Sequence, residues 1–172
     1  LDPNSTEAQQ ASSQLLVASG NLKQAKPHIQ KLLVKEETRA NGFLFLNSLL
    51  ANQKDKAEVL SAITEFAAPY PKLPEAHFAI AQAASIAGKA DISKQELEIA
   101  NKLRPGWELS AQLQGQILAK ESPEKAIAFY QGFLKKNPKA NDVRMAYAKL
   151  LVSQKRNAEA KPEFVKLIEG SN

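Results

Sequence analysis

The chain has 172 residues, 44% of them apolar and 24% charged, with a net charge of +5 and no cysteine. These proportions exclude disorder, because such a chain buries enough apolar surface to offset its ordering entropy. The missing cysteines exclude a disulfide framework, thiolate metal ligation and cysteine nucleophiles, and no apolar run is long enough to cross a bilayer.

Four prolines that close polar segments set the organisation: Pro3, Pro71, Pro105 and Pro138, separated by 68, 34 and 33 residues. A period of 34 divides the chain into five units, 6–39, 40–73, 74–107, 108–140 and 141–169. Each unit reads as two helices. In the first, Gly20-Asn21 supplies the turn and Ala25 opens the second apolar segment. In the second, Phe43, Leu46 and Leu50 recur at helical spacing, and after a break at Lys54-Asp55, Val59, Ile63 and Phe66 do the same. The third turns at Gly88-Lys89, with Asp91 as its expected N-cap, as Asp55 is in the second. The fourth carries Ser122-Pro123-Glu124, a capping serine with proline at the first helical position, and its one missing residue falls in the turn before it. Ala25, Val59, Ser93, Ala126 and Ala160 hold equivalent places. Pro27 and Pro162 each follow a central alanine by two residues, which a helix tolerates near its start. The large apolar residues, among them Ile80, Leu97, Tyr130, Phe133, Tyr147 and Phe164, fall on the seams between helices, so their expected role is packing.

A period of 34, small residues near the unit centre and proline near its end resemble the tetratricopeptide repeat (TPR). The best-matching stretch is GNLKQAKPHIQKLL, with Gly20, Asn21, Ala25, Ile29 and Leu32 at family positions; the third unit adds Ala76, Ala81, Gly88, Leu97, Ala100 and Pro105. Ser12-Ser13 replaces the usual leucine–glycine pair, Ser93 the central alanine, and Glu37 stands where proline is expected. The resemblance implies an all-α, right-handed solenoid of antiparallel helix pairs running through residues 1–172. It also implies a concave groove lined by the first helix of each unit. In family register that groove takes Gln10, Gln14 and Val17, then Asn41, Leu44, Ser48 and Asn52, then Phe78, Gln82 and Ile86. Gln112, Gln116 and Lys120 follow, and finally Met145, Lys149 and Val152. The lysine- and asparagine-rich clamp of chaperone-tail receptors is mostly missing. What remains is rich in amides, with apolar points at Leu44, Phe78, Ile86 and Met145. That chemistry suits an extended or helical segment of a partner protein.

Catalysis finds no support. The chain has no phosphate-cradling glycine loop and no recognisable nucleophile motif, and no cofactor or metal is expected. His28 and His77 read as structural, and Glu36-Glu37 and Glu96/Glu98 as solvated surface. Trp107 is expected to staple a helix start and Tyr70 to order a connection.

Residues 1–102 carry 11 Lys/Arg and 11 Asp/Glu, whereas 103–172 carry 12 and 7, so the excess of +5 lies in the last two units. Lys135, Lys136 and Lys139 belong to a connection between units, and Lys155 and Arg156 to a turn within one. This spread favours a solvated surface; an acidic protein segment is a second reading and nucleic acid a third. Phe164, Leu167 and Ile168 end the array without a polar capping helix, which raises self-association through its ends as the alternative to an adaptor role. The opening at Leu1, inside a motif, reads as a segment of a longer chain. AAPYPKLPEAHFAIAQAA and VRMAYAKLLVSQKRNAEA resemble phrases in proteobacterial multi-TPR outer-membrane lipoproteins, some of which are periplasmic adaptors for a processing protease. That resemblance implies the periplasm, with the cytoplasm as alternative, and no direct membrane insertion by these residues.

Overall fold

A computed structural model describes residues 2, 5–50 and 53–169. The described residues form ten α-helices and no strand: α1 Thr6–Ala18, α2 Leu22–Val34, α3 Glu36–Leu50, α4 Lys56–Ala67, α5 Pro74–Ile86, α6 Ala90–Leu103, α7 Glu108–Glu121, α8 Pro123–Lys136, α9 Asn141–Ser153 and α10 Asn157–Glu169. They fall into two compact units, Leu1–Leu103 with α1–α6 and Arg104–Asn172 with α7–α10.

In the first unit α1 packs on α2, α5 on α6, α3 on both α2 and α5, and α4 on α5. Gly20 and Gly88 take the left-handed backbone that their tight turns require, at φ 76° and 72°. The core joins Phe43, Leu46 and Leu50 of α3 to Ile63 and Phe66 of α4 and to Ile29 and Leu33 of α2. Burying each such side chain stabilises the fold by about 1.5–3 kcal/mol. α3 starts at Glu36, four residues before the repeat boundary expected from the period. No proline stops the backbone there, so the helix restarts after Lys35 alone. Thr38 and Arg39 satisfy the carbonyls that α2 leaves open: Thr38 Oγ1 donates to Leu32 O at 3.1 Å, and Arg39 donates to Leu33 O and Val34 O at 2.7 Å each.

In the second unit α7 packs on α8, α9 on α10, α8 on α9 and α7 on α9. Its core gathers Ile127, Tyr130, Leu134, Val143, Tyr147 and Leu151. Phe133 and Phe164 pack against it only partly buried. Ala25, Val59, Ser93, Ala126 and Ala160 are all buried, at most 4% exposed.

Three local expectations are corrected. Asp55 caps α4, accepting from the amides of Ala57 and Glu58, but Asp91 lies inside the first turn of α6 and caps nothing. Ser122 precedes α8 without a side-chain cap bond, because its hydroxyl donates to the Glu124 carboxylate at 2.9 Å instead. Pro27 and Pro162 stand inside α2 and α10, five residues beyond the first helical position.

Candidate functional site

In the second unit the two first helices, α7 and α9, flank an open groove of about 550 Å³. Gln112 and Gln116 line it from α7, and Met145 and Lys149 from α9. These four residues share register: each α9 residue follows its α7 counterpart by 33 positions, one repeat of the fourth unit's length. Asp142, Leu109 and Leu150 complete the walls. Lys120 on the last turn of α7 and Val152 on α9 are both exposed, Val152 at 47%.

Gly115 forms the floor with Tyr130. A Cβ built on Gly115 would overlap the Tyr130 ring, so only glycine lets that ring lie against α7. The Tyr130 hydroxyl donates to the Gln112 carbonyl at 3.3 Å, and burial pushes its pKa up to about 12, so it stays a neutral donor at physiological pH. The α9 wall is anchored across repeats: the Glu108 carboxylate of α7 accepts from the amides of Asp142 and Val143 at 2.9 and 3.3 Å, capping a helix whose own N-cap residue, Ala140, has no side-chain acceptor.

In the first unit the expected groove residues lie on α1, α3 and α5. Gln14, Asn41, Ser48 and Ile86 are exposed or nearly so, and Gln10, Leu44 and Gln82 are partly buried. The Ser48 hydroxyl donates to its own helix at Phe45 O, 3.0 Å away. Val17 is buried, at 2% exposure. Asn52 lies outside the described residues. Phe78, expected as an apolar anchor, is 6% exposed and belongs to the core. α5 buries Ala76, Ala79, Ala81, Ala83 and Ala84 as well, so neighbours close around this helix on nearly every side and cover the position that its register assigns to the groove.

Both histidines have structural partners. His28 Nδ1 lies 2.9 Å from Gln9 Oε1; His77 Nδ1 lies 2.6 Å from Glu96 Oε2, with its Nε2 3.0 Å from Pro71 O. Among the described residues no three His, Asp or Glu side chains gather as a metal site would require. Trp107 is 7% exposed beneath the Arg104 guanidinium, 4.9 Å from the ring centroid, so it packs the start of α7. Tyr70 meets Phe43 edge-on at 5.8 Å and Arg39 at 4.6 Å, which orders the connection before α5.

No protein-family model matches the chain, and no curated protein matches it in sequence. Solved structures do match in fold. TTC0263, a thermophilic TPR protein from Thermus thermophilus, superposes with a TM-score of 0.65 at 17% identity, covering 96% of this chain and 91% of that one. The MamA protein gives 0.60 at 15% identity, over 99% and 93% of the two chains. YrrB, a TPR protein with an unusual peptide-binding site, gives 0.55 at 12% identity, over 98% and 88%. The fold is the all-α TPR solenoid, five helix pairs long.

Proposed function

We propose that this chain is a non-catalytic interaction scaffold that holds a segment of a partner protein along its first-helix face. The observation that carries this reading is the α7–α9 groove, where Gln112, Gln116, Met145 and Lys149 meet over the Gly115–Tyr130 floor. Amide side chains offer a donor and an acceptor each, which is what an extended backbone needs. Met145, Leu109 and Leu150 take side chains between them, methionine adapting its shape to the ligand. YrrB, on the same fold, is a TPR protein with an unusual peptide-binding site, which supports a peptide as the occupant. The test is a pull-down with the wild-type chain beside a Gln116→Glu/Lys149→Glu variant, both substitutions being at exposed positions. A partner held by wild type and lost by a variant of unchanged helical content supports the reading; one held equally by both refutes it.

A second reading rests on α10, where Val165 is 43% and Ile168 70% exposed, three residues apart on one helix face. Two copies meeting there would form a dimer, and light scattering over a range of concentrations with a Val165→Glu/Ile168→Glu variant separates this from the adaptor reading. The adaptor reading also puts the protein in the periplasm, on the resemblance of residues 67–84 and 143–160 to outer-membrane multi-TPR lipoproteins.

A further inference from the structure

The second unit carries another cavity, larger than the groove, at about 970 Å³, walled by α8, α9 and α10. α9 serves both. With 100° per residue, Asp142, Met145 and Lys149 project toward the groove while Asn141, Arg144 and Tyr147 project from the opposite side into this cleft. We propose that the cleft is a second docking site, specific for an acidic peptide segment of a partner protein.

Lys135 and Lys139 stand at the rim of the cleft, and Lys166 and Arg144 enter from α10 and α9. Glu163 is the acid among them, and it is shared: Arg144 lies 2.6 Å from one of its oxygens and Lys166 2.7 Å from the other. One carboxylate between two cations leaves an excess of one positive charge. With Lys135 and Lys139 added and Glu169 subtracted, the lining carries four cations and two acids, a surplus of two. A concave wall of low dielectric focuses such a surplus on whatever enters.

Leu134, Pro138 and Tyr147 give the cleft an apolar floor that a polyphosphate backbone would leave unused and that peptide side chains would cover. The Tyr147 hydroxyl accepts from Gln131 Nε2 at 2.8 Å, so its own proton is left to donate to a carboxylate or a peptide carbonyl in the cleft. Arg144 cannot shift toward the ligand, being held by Glu163 and by Pro138 O at 2.5 Å. It fixes the wall, while the two rim lysines make the contact.

The test uses the whole chain and a short acetylated peptide of alternating glutamate and leucine, labelled for fluorescence anisotropy, with the lysine–leucine peptide as its counterpart. Lys135→Glu/Lys139→Glu is expected to weaken binding of the acidic peptide by about tenfold or more, and added salt to weaken it in wild type. Lys155→Glu/Lys161→Glu, which changes net charge equally away from both cavities, is expected to leave binding within about twofold. Circular dichroism checks that each variant keeps the wild-type helix content. The proposal is overturned by absence of binding, by equal loss in both variants, or by a single-stranded oligonucleotide binding at the rim more tightly than the peptide.

Discussion

Arg144 places one guanidinium nitrogen 2.6 Å from Glu163, nineteen residues on, and another 2.5 Å from the carbonyl of Pro138, six residues back. His77 repeats the arrangement two units earlier, with Glu96 nineteen residues on and Pro71 six back. Gln9 meets His28 at the same spacing of nineteen. The first, third and fifth helix pairs are thus tied by a polar contact where the second and fourth carry buried Phe43 and Ala111. In the third and fifth pairs the same side chain also grips the preceding connection. Removing Arg144 leaves Glu163, whose side chain is 12% exposed, with Lys166 as its remaining cation. Arg144→Ala is expected to cost about 2–3 kcal/mol in urea denaturation, and Arg144→Met/Glu163→Leu less, because the half-compensated buried carboxylate is then removed with its partner. Equal losses in the two variants would contradict a paired role.

The same carboxylate sets a pH dependence. Burial by itself would raise the Glu163 pKa, but hydrogen bonds and positive charge from Lys166 and Arg144 outweigh it and hold the group below its ordinary value of 4.5. A carboxyl depressed in the folded state stabilises fully above its unfolded pKa, and that contribution is lost as pH falls through the folded value. Wild type is therefore expected to lose Tm as pH drops below about 4.5, whereas Glu163→Gln starts lower at neutral pH and converges with wild type in acid. Calorimetry at a series of pH values checks this; parallel curves would rule it out.

Two glycine substitutions are expected to act in opposite directions. Gly115→Ala drives a Cβ into the Tyr130 ring and should destabilise the chain by about 1–3 kcal/mol, disturbing the groove floor as well. Gly132→Ala, on α8, meets nothing within 4 Å and should stabilise by about 0.5–1 kcal/mol through helix propensity. Thermal melts of the two variants read both signs.

Lys155 sits at φ 59° in the turn between α9 and α10, where the first and third pairs have Gly20 and Gly88. A side chain in that conformation costs roughly 1 kcal/mol that glycine avoids. Lys155→Gly should raise stability by about 0.5 kcal/mol, the glycine's greater unfolded-state freedom offsetting part of the gain. A lower Tm in the variant would show that the Lys155 side chain contributes contacts worth more than the strain.

Much of the fold is legible in the chain because the period of 34 repeats both turn chemistry and apolar phase. The start of α3 is not, since Glu37 lacks the proline that would mark it and the Arg39 contacts that allow an abrupt restart cross a helix boundary. The α7–α9 wall is legible for the same reason as the fold: Gln112/Met145 and Gln116/Lys149 are equivalent positions one repeat apart. Phe78 escapes that logic, because its burial depends on how closely an alanine-rich helix lets its neighbours approach. The basic cleft escapes it too. Lys135 and Lys139 meet Lys166 only when α8 and α10 pack around α9, and a reading by linear position separates them. The polar ties had a usable signal: Gln9, His77 and Arg144 occupy one repeat position, each with a polar partner nineteen residues later.

A partner protein held in the groove between α7 and α9 would lie within reach of position 145. A photo-crosslinking amino acid placed at Met145, and separately at exposed Ala158 on α10 as a control, tests it in the host cell. A discrete protein adduct is expected from position 145 and none from 158, with the adduct abolished by adding Gln116→Glu/Lys149→Glu. No adduct at 145, or the same adduct at both positions, would contradict it.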